Sequence, residues 1–356
     1  MLAEETGGDA IVNSNNFTDG YQRIVRDTNK YYLLGYTPTI EHRDGEFHRL
    51  TVRVKRPGVT VRARPGYYAP KPEEPTVDDA PALTGEPTAE GLSKEALDAL
   101  RLPLAVSGLA VDVFTAPFRG TAAKSGSVLL GAQIDGTDLA LVPGEILEVG
   151  YRAMDPEGKT TPGAFTRFEL NLQPASRTSV AANGLRFAEW YTLPTGRHQV
   201  RFVVNQPNGR TGMVVADVEV PDFAASPVSL SGILLASERT ASHHTLKGDE
   251  MLQKVLGAVP TAVRRFSRGD TVTGYVEAYT SGDSTLTGFS GSVTRVGTTR
   301  AQPVETRTVL TERGRAAVMT RLRLNALQPG DYVLGYEARA GRRTAIRQVL
   351  FTVTAE

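Results

Sequence analysis

The chain contains no cysteine, and this absence removes several kinds of chemistry at once. Without thiols there are no disulfides, no thiolate metal sites and no cysteine nucleophile. The absence does not settle the cellular compartment, because secreted bacterial proteins can also lack cysteine.

Long apolar runs are missing as well. No stretch approaches the roughly 20 apolar residues that a membrane-spanning helix needs. Residues 1–5, Met-Leu-Ala-Glu-Glu, lack the basic start and apolar stretch of a signal peptide. The sequence therefore predicts no membrane span and no export signal in this chain.

Neither sign of charge dominates the composition. Lys and Arg number 40 and Asp and Glu number 39, which leaves a net charge of +1. A chain without an overall field has little to attract a polyanion, so we expect no nucleic-acid partner. The 356 residues are 40% hydrophobic and 22% charged, as in globular proteins of two or three domains.

Motifs for catalysis are also absent. The sequence has no Gly-x-Ser-x-Gly nucleophile elbow and no phosphate loop of the Gly-x-x-x-x-Gly-Lys type. None of the five histidines, His42, His48, His198, His243 and His244, lies in a metal-binding spacing. We therefore predict no catalytic residue, no cofactor and no metal site, and a chain that is not an enzyme.

The first 70 residues have an α/β pattern. Apolar positions from Phe17 to Thr28 recur at helical spacing, and an aromatic strand follows over residues 31–36. After a turn at Asp44 and Gly45, residues 47–55 alternate between apolar and polar side chains, which predicts a strand with one solvent-facing side. Residues 59–64 continue this β pattern towards Pro65.

These segments resemble the end of the von Willebrand factor A-related domain of acidobacterial secreted proteins. The resemblance is carried by Leu-Ala-Glu-Glu-Thr-Gly-Gly at 2–8, Tyr-Tyr-Leu-Leu-Gly-Tyr-Thr-Pro at 31–38, Val-Arg-Val-Lys-Arg-Pro-Gly-Val at 52–59 and Arg-Pro-Gly-Tyr-Tyr at 64–68. It implies a doubly wound parallel sheet flanked by helices and an extracellular or periplasmic location. It also implies adhesion through a metal site built from an Asp-x-Ser-x-Ser loop with a Thr and an Asp. This chain begins near the last strand of such a domain, so we expect an incomplete domain that lacks the metal site.

A spacer and then a β-rich region follow. Residues 71–101 combine prolines and acidic residues with a short helix predicted from Ser93 to Leu100, which we expect to pack on the next domain. Beyond it, β-branched and apolar runs alternate with turns. The runs are residues 104–114, 127–134, 146–154, 167–172, 185–192, 199–205 and 213–220, and then 228–236, 271–279, 288–296, 306–311, 316–324, 331–339 and 345–354.

The fold class predicted is therefore mostly β: two immunoglobulin-like or fibronectin-like β-sandwich domains, at 102–223 and 224–356, preceded by an incomplete α/β segment at 1–70. Both sandwiches end alike. A turn with Pro and Gly, at 193–200 and at 327–334, precedes an alternating strand, a turn with Arg and a final strand. The two domains are interpreted as diverged copies with an ending like the F–G hairpin of such sandwiches.

Three short polar motifs have simple structural explanations. Arg268-Gly269-Asp270 spells a tripeptide that integrins bind, but it directly precedes a strand and is interpreted as a turn. Residues 135–138, Asp-Gly-Thr-Asp, are interpreted as a hairpin turn and not as a calcium loop. The His243-His244 pair lies in the polar stretch 238–249, which predicts a surface loop.

Aromatic residues supply the candidate contact surfaces. Trp190 is expected in the core, although its sequence context alone does not settle whether it is buried or exposed. Further along, Val272, Val276 and Ala278 predict an inward face, which leaves Tyr275, Glu277 and Tyr279 as a possible contact patch on the outer face.

The expected function is a non-enzymatic modular interaction or adhesion-type protein, extracellular or envelope-associated, that binds a protein partner. One alternative is an auxiliary region of a larger secreted enzyme system that binds carbohydrate or a partner, and exposed coplanar aromatics around Trp190 would favour it. Another is a truncated gene product that lacks its metal-dependent adhesion site.

Overall fold

The computed structural model describes residues 46–54, 66–68, 93–102, 105–207, 210–282, 284–312 and 314–355. The chain divides into two compact units, Met1–Thr84 and Gly85–Glu356. The helix predicted from Phe17, the strands predicted at 31–36 and 59–64, and nearly all of the proline-rich spacer lie outside the described residues.

In the first unit, the described elements are two short antiparallel strands, β1 (Phe47–Arg49) and β2 (Gly66–Tyr68). The strand predicted over 47–55 is therefore too long, because residues 50–54 are not in a strand. Val52 and Val54 remain 40% and 47% exposed. Alternation stabilises a strand only where a partner strand and a covering layer exist.

Strands dominate the described residues of the second unit, as the sequence predicts. The elements of its first half are α1 (Lys94–Arg101), β3 (Val106–Ser107), β4 (Val111–Arg119), β5 (Ser125–Ile134), β6 (Glu145–Met154), β7 (Thr160–Thr161), β8 (Phe165–Leu170), α2 (Pro174–Asn183), β9 (Leu185–Pro194), β10 (Gly196–Gln206) and β11 (Arg210–Val220).

The second half continues with further strands, one α-helix and two 3₁₀ turns at Glu238–Thr240 and Leu324–Ala326. Its other elements are β12 (Val228–Leu230), β13 (Leu234–Ser237), β14 (Thr245–Lys247), α3 (Glu250–Leu256), β15 (Arg265–Ser267), β16 (Thr271–Thr280), β17 (Gly288–Arg295), β18 (Ala301–Val304), β19 (Thr306–Glu312), β20 (Arg315–Arg323), β21 (Gly330–Ala340) and β22 (Arg343–Thr354).

The strands of the second unit form four sheets, which we name A to D. Sheet A has the order β3-β11-β10-β6-β7 with β8 also beside β6, and sheet B has the order β14-β9-β5-β4. Sheet C has the order β12-β16-β20-β19 with β13 also beside β16, and sheet D has the order β15-β22-β21-β17-β18.

Sheets A and B enclose one apolar core, and sheets C and D enclose another. Phe187, Phe202 and Leu130 are representative of the first core, and Val276, Leu334 and Phe351 of the second. The predicted fold class, mostly β with two sandwiches, is confirmed for the second unit. Each core forms because alternate side chains of facing sheets interdigitate.

Sheets B and C also pack against each other, so the second unit is a stack of four β layers. A third apolar cluster between them includes Phe118 and Leu129 of sheet B and Leu234 and Tyr275 of sheet C. The two sheets come into direct contact at Gly232, whose N–H donates to the Pro117 carbonyl at 2.6 Å. A Cβ there would lie only 2.6 Å from the Cα of Ala116, so this contact requires glycine.

One segment of the second sandwich crosses to the first. After the 3₁₀ turn Glu238–Thr240, strand β14 pairs in parallel with β9 at the edge of sheet B. The polar stretch 238–249, predicted as a surface loop, thus contains a strand that belongs to the other sandwich. A parallel edge strand needs a partner already in place, and the local sequence does not show where that partner lies.

Helix α1 lies on sheet A. An acidic side chain lies at its N-terminus and basic side chains lie at its C-terminus, which is the arrangement that the helix dipole favours. At the N-terminus Ser93 accepts from the Ala96 N–H, and its hydroxyl donates at 2.6 Å to the buried Glu148. At the C-terminus the buried Arg152 and Arg201 both donate to the Leu100 carbonyl, at 2.6 and 2.8 Å. The helix predicted here, with Ser93 as its cap, is confirmed.

The matching sequence endings of the two sandwiches adopt matching structures. Hairpins β10–β11 and β21–β22 each begin at a glycine with positive φ, 123° at Gly196 and 150° at Gly330. Two residues later, the Nε2 of His198 lies 2.8 Å from the Pro194 carbonyl, and the Tyr332 hydroxyl donates to the Gln328 carbonyl at 2.7 Å. The second arrangement is that of the tyrosine corner of immunoglobulin-like sandwiches.

None of the helices in the described part of the chain combines the length and apolar character that crossing a membrane requires.

Candidate functional site

The three residues predicted as a contact patch lie together on strand β16, but they are not on the surface. Tyr275, Glu277 and Tyr279 are 6%, 5% and 1% exposed, so the prediction of an outer, solvent-facing surface is wrong. The predicted division of faces is right, because Val272 and Val276 point into the second core. The patch is buried because sheet B covers the other face of sheet C.

Glu277 is the centre of this patch. Its carboxylate accepts the hydroxyl protons of Tyr275 at 2.6 Å and of Tyr279 at 2.7 Å. Arg315 donates to the same carboxylate from Nη2 at 2.6 Å and from Nε at 2.8 Å, which is a bidentate pair. We call Tyr275, Glu277, Tyr279 and Arg315 the Glu277 cluster.

Register explains how these side chains meet. On β16 the three patch residues alternate along one face, and β20 places Arg315 directly opposite Tyr279. Arg315 was not among the predicted site residues, because it lies just before the strand predicted at 316–324, whereas the observed strand β20 begins with it. Its pairing with Tyr279 depends on register, which one strand's pattern does not define.

The Glu277 cluster also contacts the first sandwich. The backbone N–H of Arg119 donates to the Tyr279 hydroxyl at 3.2 Å, and its guanidinium lies 4.7 Å from the centre of the Tyr279 ring. The same guanidinium donates to the Gly314 carbonyl at 3.2 Å. Arg119 on β4 thus joins the edge of sheet B to β16 and to the turn that precedes β20.

Electrostatics favour one protonation state of the cluster. Burial raises the pKa of Glu277, but hydrogen bonds from Arg315, Tyr275 and Tyr279 outweigh burial and hold the pKa below its ordinary value. Burial raises the pKa of both phenols, and the hydrogen bond to Glu277 raises the pKa of Arg315. The carboxylate is therefore ionised and the phenols neutral at physiological pH.

This arrangement suits a structural joint better than a reaction. Both carboxylate oxygens accept two hydrogen bonds each, and both phenol protons are donated to them. A general base or nucleophile needs a free lone pair within reach of a substrate. The polar groups of the cluster instead bond to one another and hold the strands together.

Trp190 lies at the rim of the same interface. It is 38% exposed, so the expectation of a core position is wrong. Its ring meets Phe118 edge-on, at 5.2 Å and 81°, and its indole N–H donates to Asp249 at 2.8 Å. Trp190 lies on the face of sheet B that is turned away from the first core, beside the segment that crosses from the second sandwich. Its edge-on contact differs from the coplanar aromatic platform that would favour carbohydrate binding.

The two turn motifs are structural, with one correction. Asp270 is 5% exposed, and Ser237 and the Thr271 N–H donate to it, so the turn interpretation of residues 268–270 is confirmed. Asp135 accepts from the Thr137 hydroxyl at 2.6 Å and from its N–H at 2.8 Å, and these bonds lower the pKa of Asp135. The predicted hairpin there is wrong, because β5 and β6 belong to different sheets.

Arg186 holds the crossing segment and the residues after it in place through hydrogen bonds to backbone carbonyls. It is 1% exposed and donates to the carbonyls of Val259, at 3.2 Å, and Thr240. Burial lowers the pKa of Arg186 to about 10, so the guanidinium stays charged at neutral pH. Burial lowers the pKa of the nearby His243, and the charges of Arg186 and His244 lower it further.

The position of His243 leads to a pH prediction. Its folded-state pKa lies below the ordinary 6.5, so the unfolded chain takes up a proton first as the pH falls. The free energy of unfolding should therefore decrease from pH 6.5 downward until the pH passes the lower folded-state pKa. Urea unfolding at pH 8 and pH 5 should show a smaller loss in His243→Gln than in the wild type. Equal losses would contradict this account.

Across the described ranges, no three His, Asp or Glu side chains come together in a way that could hold a metal ion.

Comparisons with known proteins identify no family. No protein-family model matches the sequence, and no curated protein matches it. A transglutaminase from red sea bream matches with 11% identity and a TM-score of 0.20, over 73% of this chain and 33% of that one. Salmonella α2-macroglobulin reacted with methylamine matches with 14% identity and a TM-score of 0.20, over 71% of this chain and 17% of that one. A titin structure matches with 12% identity and a TM-score of 0.16. Structural similarity at such low TM-scores indicates neither the family nor the function of this chain.

Proposed function

We propose that this chain is a non-enzymatic modular interaction protein that binds a protein partner through its two β-sandwiches. We further propose that residues 1–70 are a von Willebrand factor A-related segment and that the protein works outside the cytoplasm or in the cell envelope. Both of these last points rest on the sequence resemblance described above.

The observation that supports binding is the joint between the sandwiches. The third apolar cluster, the Glu277 cluster and strand β14 together hold sheets B and C face to face. A surface formed by two modules is preorganised when the modules cannot move apart, and preorganisation reduces the entropy lost on binding. The joint is thus what a binding scaffold of two modules needs.

The polar chemistry of the joint supports the absence of catalysis. Glu277, a carboxylate in the interface whose pKa is held below its ordinary value, serves an internal ion pair. Perturbed groups mark active sites only when they also face a cleft where a substrate fits. The position of Glu277 between two packed sheets fits a structural role.

The test measures whether a substitution that disrupts the joint weakens the binding of a partner. The full chain, displayed outside the cytoplasm and cross-linked to envelope proteins, should bind a partner saturably, and the purified partner should bind Glu277→Ala more weakly. The matched control Glu312→Gln, which also removes a carboxylate beside Arg315, should bind like the wild type. A hydrolytic or transfer activity that maps to a residue in 102–356 would overturn the proposal.

A glycan-binding role is the second candidate, and the exposed part of Trp190 is the observation that favours it. Exposed tryptophan faces can contact sugar rings through their apolar surface. Trp190→Ala should then abolish the binding of soluble polysaccharides to the full chain, measured by affinity electrophoresis. Unchanged mobility of wild type and variant would exclude this role.

A further inference from the structure

A cavity of about 440 Å³ lies at one end of the first sandwich. Most of its lining residues are apolar, such as Val111 and Met213, and one of them, Val263, belongs to the second sandwich. Its polar lining includes the side chains of Asp112 and Gln133. A cavity of this size, with apolar walls and a few polar groups, is typical of small-molecule sites.

The walls of this cavity are held in place by hydrogen bonds. Strand β3 fixes one wall to β11. The Asp135 N–H donates to the Ala110 carbonyl at 2.9 Å, and Nε2 of Gln133 donates to the Asn183 carbonyl, at the end of α2, at 2.8 Å. A cavity whose walls are fixed before a ligand arrives is preorganised, which reduces the entropy lost on binding.

Strand register brings the two polar side chains of the cavity together. Asp112 on β4 lies directly opposite Gln133 on β5. Asp112 shares a face of β4 with Phe114, which packs against the second sandwich, whereas Val111 and Val113 pack against the first core. Because side chains alternate along a strand, Asp112 and Gln133 lie on the face of sheet B that is turned towards the second sandwich.

The Asp112 carboxylate has neither a hydrogen-bond donor nor an ion-pair partner among the residues that the structure describes. The residue is exposed, but enough protein surrounds its carboxylate that burial raises the pKa of Asp112 by more than Arg264 and Arg265 lower it. Oε1 of Gln133 also accepts no hydrogen bond within the described part of the chain. A carboxylate with a raised pKa, unpaired and beside a cavity, is a candidate for ligand contact.

The charges around this carboxylate favour a cationic ligand group. Arg264 and Arg265 lie close enough to lower the pKa of Asp112, and Asp135 lies close enough to raise it, so two positive and two negative charges balance. Arg264 already donates to the Thr261 carbonyl. An ammonium group meets no net repulsion here and supplies the donors that the carboxylate lacks, whereas an anion would supply none.

We infer that this cavity binds a protonated primary amine carried on a short apolar body. The ammonium group donates to the Asp112 carboxylate and to Oε1 of Gln133. The apolar body contacts the walls around Val111, Met213 and Val263. A free amine and a lysine side chain share this chemistry. The inference goes beyond the proposed function, because the site is complete without a protein partner.

The test uses benzylamine and Nα-acetyl-lysine amide, titrated into the full chain at low salt and followed by saturation-transfer NMR. At least one should bind at concentrations up to about 10 mM, and the tighter of the two identifies the source of the amine. Benzyl alcohol and Nα-acetyl-norleucine amide, which have similar shapes without the ammonium group, should bind at least about tenfold more weakly. Equal binding of an amine and its control, or no binding of either amine, would overturn the inference.

Substitutions locate the site. Asp112→Asn keeps the shape of the side chain, removes its charge, and should weaken amine binding at least about tenfold without changing the binding of benzyl alcohol. Its matched control is Asp217→Asn, which removes an exposed carboxylate that lines a different cavity on sheet A and should bind the amine like the wild type. Ala182→Trp, at an exposed residue of the cavity lining, fills the cavity and should abolish the binding of every probe.

The outcomes distinguish this cavity from non-specific attraction to acidic surface. Undiminished amine binding in Asp112→Asn or Ala182→Trp would overturn the inference, and so would an equal loss in Asp217→Asn. All three substituted residues are exposed, so the variants should fold, and circular dichroism checks that they do. The uncharged probes test the same contact without altering the protein.

Discussion

Replacement of Glu277 by alanine should lower the free energy of unfolding by about 3 kcal/mol, the lower end of the cost of removing one partner from a buried ion pair. The variant leaves the Arg315 guanidinium and the hydroxyls of Tyr275 and Tyr279 without their acceptor. The lower end applies because the Arg315 side chain is 36% exposed, so water recovers part of the lost solvation. Urea denaturation followed by circular dichroism measures the change.

The matched control for this variant is Glu312→Gln. Glu312 lies 3.6 Å from the same Arg315, but its side chain is 57% exposed. An exposed pair contributes about 0–1 kcal/mol, so this variant should unfold almost like the wild type. If the two variants lose equal stability, the buried cluster does not stabilise the fold in the way described.

Replacement of Phe118 by alanine should cost about 3–5 kcal/mol, as large-to-small changes of buried aromatics do. Phe118 is 4% exposed and contacts Trp190 at 5.2 Å and Tyr275 at 6.3 Å between ring centres. The cavity would open between the two sandwiches and not inside either one. We therefore expect calorimetry to show one transition for the second unit in the wild type and two in the variant.

The control for Phe118 is Val142→Ala, at a position that is 56% exposed. Its loss should stay within about 0.5 kcal/mol, because an exposed apolar side chain gains little from folding. A single transition in Phe118→Ala, shifted as a whole, would mean that the sandwiches remain coupled without this contact.

Local periodicity was enough to predict most strands of the second unit. The predicted strand at 271–279 corresponds to Thr271–Thr280, and that at 185–192 to Leu185–Pro194. The predicted strand at 228–236 is divided into two, because the chain bends at Gly232 to approach the first sandwich. A break caused by a partner distant in sequence leaves no mark in the hydrophobic pattern.

Two helices were missed although signals for both were present. Helix α2 begins at Pro174 and ends before Gly184, which has a φ of 72°. Helix α3 has Asp249 as its N-cap and Gly257 in the left-handed conformation as its C-cap. Both are short and bury few residues, so their caps, and not an apolar stripe, were the only available evidence in the sequence.

The candidate site shows the same limit. Alternation on β16 correctly separated the side of Val276 from the side of Glu277. Whether the second side meets water or another sheet depends on packing between sandwiches, which a single strand does not encode. Buried tyrosines and a glutamate on a sheet's outer face look the same in sequence as exposed ones.

The crossing of β14 affects how the protein emerges from the ribosome. The first sandwich is fully synthesised by residue 220, yet the strand that completes sheet B is at Thr245–Lys247. At a synthesis rate of about 5–20 residues per second, the edge of β9 stays without its partner strand for seconds. During that interval the nascent chain carries an uncovered sheet edge, where a chaperone could act. Cutting the gene between the sandwiches would make this transient state permanent.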